Sequence, residues 1–215
     1  MLRFPKPFLL LVTFMGLIAF HVWAETSPDP SSTVTVSVYN DAGVPATVLA
    51  QAEQEAQEIF LRAGVEVRWT NCAAKPVGLE ATGPDCATFE WPAHLALRIV
   101  FRTGNSTDEV FGVAFLSEEG TGCYSDVFYD RVAKLHAERN LALADILGNV
   151  MAHELGHLLL GSNAHAGSGI MRARWQGEEL RRVSRGGLWF TKNEVNHIRG
   201  LLNARPTELT ARSSF

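Results

Sequence analysis

Residues 150–171 read VMAHELGHLLLGSNAHAGSGIM and contain the pattern H-E-x-x-H at His153, Glu154 and His157. Histidines four positions apart project from the same face of a helix with their Cβ atoms roughly 5–6 Å apart, so both imidazoles can bind one metal ion at a Zn–N distance of about 2.0–2.1 Å. Glu154 lies about 100° further around the helix, where it can take a proton from a metal-activated water. The pattern predicts a zinc site with two histidine ligands and Glu154 as the general base.

Apolar residues flank this pattern on both sides and recur at helical spacing from about residue 142 to residue 160. The periodicity predicts a largely buried helix. A histidine or glutamate buried there without a partner would cost about 1–3 kcal/mol. A shared metal ion is therefore favoured over the two alternatives, which are core polar residues satisfied by their neighbours and a polar stripe facing solvent.

The residues after the pattern resemble those of the metzincin clan of zinc endopeptidases, whose motif H-E-x-x-H-x-x-G-x-x-H is followed by a methionine-containing turn. The resemblance implies that His165 is the third metal ligand, that Gly161 ends the helix in a left-handed conformation, and that Met171 lies in the turn beneath the metal. The chain departs from the family in spacing, because the second histidine, the glycine and the third histidine are each four residues apart instead of three. One extra helical residue rotates the exit by about 100°, so the path back to the metal must differ.

Other residues could supply the third ligand, in which case His165 would be an ordinary loop histidine. A carboxylate from the last part of the chain is the runner-up, and His197 is a weaker candidate. The carboxylate candidates are Glu178, Glu179 and Glu194.

Hydrophobic patterning predicts an α+β (mixed α/β) domain. The resemblance implies a metzincin-like (zincin-like) twisted sheet of about five strands with a backing helix, an active-site helix and a C-terminal helix. The predicted strands are 33–39, 65–70, 94–102, 110–116 and 124–132. The predicted helices are 45–63, 142–160 and one that a Thr191/Glu194 capping box opens and that ends near residue 203. Residues 162–189 are predicted to be a loop.

The beginning of the chain has the features of an export signal. Arg3 and Lys6 precede an apolar run over 8–20, which is short of the roughly 20 residues that span a bilayer. Cleavage is predicted after Ala24, with an uncleaved anchor as the alternative. The predicted divisions are a signal peptide (1–24), a flexible leader (25–32), the catalytic domain (33–204) and a C-terminal tail (205–215). The predicted location is secreted or periplasmic, without stable membrane insertion once the signal is removed.

Three cysteines would meet an oxidising compartment after export. Cys72 and Cys86 bracket a loop and are the natural pair, whereas Cys123 is either free or the partner of one of them. The chain has 19 basic and 23 acidic residues, a net charge of −4. Because no basic tract stands out in its main body, nucleic-acid binding has little support.

The motif and the resemblance together predict an exported zinc metalloendopeptidase with Zn²⁺ as cofactor and peptides or proteins as substrates. In such enzymes the substrate lies antiparallel to an edge strand, and residues 110–130 are the candidate region. Arg181, Arg182 and Arg185 are interpreted as part of a solvated loop, and recognition of acidic side chains near the cleft is the alternative.

Two other function classes stay open. One is a zinc-dependent hydrolase of a non-peptide substrate. The other is a non-catalytic protein stabilised by zinc, against which Glu154 argues because structural zinc needs no base.

Overall fold

A sheet with one antiparallel edge strand forms the centre of the structure. The computed structural model describes residues 32–72, 86, 88–102 and 110–204. Across the sheet the strand order is β2-β1-β3-β5-β4, in which β4 is antiparallel to β5 and the other pairs are parallel. β4 therefore lies at one edge. The strands are β1 (Ser32–Asn40), β2 (Val65–Cys72), β3 (His94–Val100), β4 (Gly112–Phe115) and β5 (Tyr124–Phe128).

Helices pack against the sheet and against one another. The two longest, α1 and α3, contact each other, and with the valines of β1 they form the main core. No helix among the described residues is both long and apolar enough to cross a membrane. The helices are α1 (Ala46–Arg62), α2 (Tyr129–Arg139), α3 (Leu143–Leu160), α4 (Gly177–Val183) and α5 (Lys192–Asn203).

The helix α3 is buried on almost every side, so its polar side chains need partners inside the protein. Asn149 has them: its amide donates to Glu55 Oε1 at 3.1 Å, and its oxygen accepts from the backbone N–H of Leu188 at 2.9 Å. The other buried polar residues on α3 are His153, Glu154 and His157. These three make up the predicted metal motif.

The predicted fold class is confirmed, with a mixed α/β architecture, a five-stranded sheet, a backing helix α1, the motif helix α3 and a C-terminal helix α5. The capping box of Thr191 and Glu194 at the start of α5 is also present. β1 begins at Ser32, one residue before the predicted start.

One predicted strand, 124–132, is wrong in its second half. β5 ends at Phe128, and α2 begins at Tyr129. The last partner of β5 is Val100 of β3, which pairs with Phe128. Beyond that point no strand among the described residues continues the ladder on this side, and the chain turns into a helix.

The predicted loop 162–189 contains the short helix α4. A capping box of Gln176 and Glu179 opens it. Sequence inspection misses this helix because glutamine is not a preferred N-cap residue and because seven residues are too few to show a helical period.

The disulfide prediction is confirmed, because Cys72 and Cys86 are joined and Cys123 is a free thiol. The predicted signal peptide, the leader up to residue 31 and the tail 205–215 lie outside the described residues.

Candidate metal centre

Three histidines meet at the C-terminal end of α3. Nitrogen atoms of His153, His157 and His165 all lie within 4.8 Å of one another. The Nε2 atoms of His153 and His157 are 3.1 Å apart. Two tetrahedral ligands of a zinc ion are roughly 3.3 Å apart when each Zn–N distance is about 2.05 Å, so this separation suits a shared ion. The first two histidines are buried and His165 is exposed.

Backbone carbonyl groups orient the two buried rings. His153 Nδ1 lies 2.7 Å from the carbonyl oxygen of Ile170, and His157 Nδ1 lies 2.7 Å from that of Ser162. A carbonyl only accepts, so each Nδ1 carries the proton and each Nε2 keeps a lone pair for a metal. The same Ile170 oxygen accepts from Trp175 Nε1 at 3.3 Å.

Burial also keeps these rings neutral. Desolvation, and then the charge of His157, lowers the pKa of His153 to about 3. Desolvation is likewise the main cause that lowers the pKa of His157. Neutral imidazole is the form that binds metal ions, and three histidines with an open fourth position are a donor set of catalytic zinc sites. The cluster therefore fits Zn²⁺.

The longer spacing after the motif does not keep His165 from the cluster. Gly161 caps the end of α3 in the left-handed conformation, with φ at +62°. The chain then turns back, and the ring centre of His165 lies 5.4 Å from that of His153 and 4.9 Å from that of His157. A Cβ atom on Gly161 would lie 2.8 Å from the carbonyl oxygen of Gly120. Glycine is thus required both by the turn and by this close approach.

Met171 packs directly against the motif helix. It is fully buried, and its carbonyl oxygen accepts from the backbone N–H of Ala166 at 2.8 Å. Its sulfur would lie 2.7 Å from a Cβ atom on Gly156, so the absence of a side chain there lets the thioether reach α3. The turn that holds Met171 also supplies the carbonyl of Ile170 that orients His153. The role of Met171 at the metal stays a prediction.

Glu154 is buried between α3 and the edge strand. The residue is 4 % exposed, and burial raises the pKa of its carboxyl to about 8. A Cβ atom on Gly112 of β4 would lie 2.6 Å from Glu154 Cγ and Cδ. Gly112 therefore leaves the space that the carboxyl occupies, and the sequence analysis did not identify it as a residue of the candidate site. Its signal was a glycine inside a predicted strand, which often marks a close approach.

A cavity of about 380 Å³ contains the cluster. β4 forms one side of it, and the segment after Met171 forms another. Trp175 is part of this wall, and its ring centre lies 5.9 Å from that of His153. The lining residues are 110–114, Val150, His153, Glu154, His157, Asn163, His165 and 172–175.

The alternative ligands lie outside this cluster in the described part of the chain. Glu178 accepts from Arg181 and Arg182 on the surface, and Glu179 pairs with Arg172. Glu194 caps α5 through the N–H of Thr191 at 2.6 Å, and His197 is exposed on the same helix. These carboxylates thus have other partners. The residue that the fold brings next to His153 and His157 is His165.

The three arginines for which a role at the cleft was the alternative do not line the cavity. Arg181 and Arg182 pair with Glu178 on α4, and Arg185 follows that helix. All three face solvent, as the favoured interpretation had it, but residues 177–183 form a helix instead of a loop. Arg172 and Arg174 line the cavity instead.

No protein-family model matches the sequence, and no curated protein matches it. The solved structures that are similar to the chain include the following two. One is a zinc-dependent peptidase from Methanocorpusculum labreanum, with 16 % identity, 76 % of this chain and 99 % of that chain covered, and a TM-score of 0.49. The other is the archaemetzincin of Methanopyrus kandleri, with 16 % identity, 81 % and 98 % covered, and a TM-score of 0.48.

Proposed function

We propose that this protein is an exported zinc-dependent endopeptidase of the metzincin type, in which His153, His157 and His165 hold the metal and Glu154 is the general base. One observation carries the proposal: the three histidine nitrogens and the Glu154 carboxyl line a single cavity that an edge strand bounds. A structural zinc site needs neither the cavity nor the buried carboxyl.

When bound, zinc supplies Lewis acidity, which lowers the pKa of water and polarises a carbonyl group. Burial alone raises the pKa of Glu154 to about 8, so the carboxyl holds a proton at neutral pH. A cation on the three histidines favours the carboxylate, because an opposite charge stabilises the ionised form. Glu154 can then accept a proton from the attacking water and donate it to the nitrogen of the leaving amine.

The edge strand favours a peptide over a small substrate. β4 pairs with β5 on one side, and its other side has no strand partner among the described residues. An extended peptide can add to such an edge through backbone hydrogen bonds. The wall of the cleft is aromatic: the rings of Phe111 and Trp175 are stacked, with centres 6.2 Å apart. These surfaces suit the backbone and the apolar side chains of a polypeptide.

Metal analysis and casein cleavage with matched variants test the proposal. The wild-type protein should bind one zinc ion per chain and cleave casein. Glu154→Gln should retain zinc and lose cleavage by about 10²–10⁴-fold, the usual contribution of a general base. His165→Ala should bind zinc more weakly, whereas His197→Ala, an exposed histidine outside the cluster, should behave as wild type.

Each contrary result would overturn a different part of the proposal. Undiminished cleavage by Glu154→Gln would refute the general-base role. Full zinc retention by His165→Ala would refute its role as a ligand. Stoichiometric zinc with no cleavage of any peptide library would indicate a binding protein or a hydrolase of another substrate.

Export rests on residues 1–24 and has its own test. Expression of the full chain in a bacterial host should yield protein outside the cytoplasm whose first residue is Glu25. Recovery of uncleaved protein in the membrane fraction would indicate an anchor instead.

A further inference from the structure

A second cavity, of about 360 Å³, adjoins the metal cleft between α2 and the start of α4. Three residues line both cavities: Phe111, Arg174 and Trp175. The stacked rings of Phe111 and Trp175 therefore stand between the two spaces. We call the second space the basic cavity, and its lining residues are Phe111, Arg131, Lys134, Leu135, Glu138, Arg139, Arg174, Trp175, Gln176, Gly177 and Leu180.

Cations dominate this lining. It contains four basic side chains and one carboxylate, although the whole chain has a net charge of −4. The carboxylate, Glu138, lies 3.7 Å from the nitrogen of Lys134, and Arg131 lies 3.5 Å from Asp130. Arg139 and Arg174 have no ion-pair partner among the described residues. Two guanidinium groups are thus available to a ligand.

The basic cavity also has an apolar floor. Leu135 and Leu180 contribute to it together with the two aromatic rings, and Leu180 is buried. Low-dielectric walls strengthen the field of the cations, and a guanidinium group can bind a carboxylate through two parallel hydrogen bonds. A ligand with a short methylene stem and a terminal carboxylate matches this cavity, because the stem can contact the apolar side chains and the carboxylate can bind a guanidinium group.

The basic cavity lies close to the bond that would be cleaved. Phe111 directly precedes Gly112, the residue against which Glu154 packs. A peptide that pairs with β4 and places one carbonyl group at Glu154 therefore passes Phe111 within a few residues. Because the cavity lies at one end of β4, it receives residues from one side of the scissile bond only.

We infer that the basic cavity is a specificity subsite for a carboxylate of the substrate, with Arg139 and Arg174 as the recognising groups. The inference rests on the proposed peptidase function. Two sources supply this carboxylate: the side chain of a Glu or Asp near the scissile bond, or the C-terminus of a short peptide.

Matched quenched peptides that carry Glu or Gln at each position around the cleaved bond provide the test, each with a free or an amidated C-terminus. For the wild-type protein, one Glu position on one side of the bond should raise kcat/KM about tenfold, the effect of one hydrogen bond to a charged group. If the free C-terminus has this effect instead, the source is the terminal carboxylate. The Arg139→Gln/Arg174→Gln double variant should lose the preference, and Arg174→Glu should favour Lys. Arg185→Gln, an exposed arginine outside both cavities, should retain the preference for Glu.

Binding by Glu154→Gln, measured by fluorescence polarisation with the same peptides, separates this inference from the proposed function. One outcome would support the subsite and refute the peptidase. In it, Glu154→Gln binds the acidic peptides selectively, the Arg139→Gln/Arg174→Gln substitutions abolish that selectivity, and the wild-type protein cleaves none of the peptides. Equal kcat/KM for Glu and Gln peptides at every position and for both termini would overturn the subsite while leaving the peptidase in place. A preference unchanged in the double variant would also overturn it, provided that circular dichroism and zinc content match the wild type.

Discussion

Gly112→Ala is expected to displace the proposed general base without removing a ligand. The new Cβ atom would lie 2.6 Å from Glu154 Cγ and Cδ, and 2.6 Å from the carbonyl oxygen of Asp126. Carbon atoms pack at about 3.5–4.0 Å, so the carboxyl must move by roughly 1 Å or the strand must yield. A misplacement of that size costs about 10²-fold in rate.

Casein cleavage, zinc content and thermal unfolding together isolate this effect. We expect kcat/KM to fall about 10²-fold with zinc still bound, and the free energy of unfolding to fall by about 1–3 kcal/mol, as is usual for overpacking. Gly200→Ala is the matched control. Gly200 lies on α5, and a Cβ atom there meets nothing within 4 Å, so its activity should equal that of the wild type.

Activity of Gly112→Ala within twofold of the wild type would refute the expected displacement of Glu154. Loss of zinc by the variant would refute it as well, because the substitution would then have disturbed the histidines.

Three further predictions concern pH, the disulfide and the end of α3. Burial raises the pKa of Glu154 from 4.5 to about 8. Between pH 4.5 and 8 the unfolded chain releases a proton that the folded, metal-free chain keeps. The free energy of unfolding therefore falls as the pH rises through this range. In chelator, Glu154→Gln should therefore gain stability relative to wild type from pH 4.5 to 8 in urea titrations, and a constant difference would contradict the assignment. Replacing Cys72 and Cys86 by Ser should lower the free energy of unfolding by about 3 kcal/mol, the chain-entropy value for a loop of this length, and a midpoint equal to that of the wild type would contradict it. Gly161→Ala should weaken zinc binding in a competition titration, because a positive φ and the contact with Gly120 both oppose a side chain; unchanged affinity would show that the turn adapts.

Short-range chemistry made part of the fold readable from the sequence. The alternating valines of β1, the capping box at Thr191 and the helical period around His153 are each determined within a few residues. The cysteine pair was also readable, because its two members bracket one loop.

Features that depend on distant partners were not readable. β5 ends where its neighbour β3 ends, and nothing near Phe128 records that boundary. Gly112 belongs to the candidate site only because Glu154 packs against it across the fold. The basic cavity combines Arg139 of α2 with Arg174 of a later loop, and no local pattern connects them.

The spacing to His165 is a case in which the sequence pattern suggested a mismatch that the fold does not have. A motif comparison counts the residues between ligands, whereas metal binding depends only on the final positions of the nitrogen atoms. Although the chain has an extra residue on each side of Gly161, the ring centre of His165 lies 5.4 Å from that of His153. The turn can absorb a change in length that a fixed pattern treats as a mismatch.

The hydrogen bonds that orient the two buried rings come from the main chain, at Ser162 and Ile170. Any residue at either position presents the same carbonyl oxygen, so mutation can exchange these side chains, within the limits of packing, without altering the tautomers of His153 and His157. Selection on metal binding would therefore act on the course of the backbone through this segment and leave little trace in residue identity. Distant homologues of the chain would then be recognised more readily by the path of residues 162–170 than by their letters.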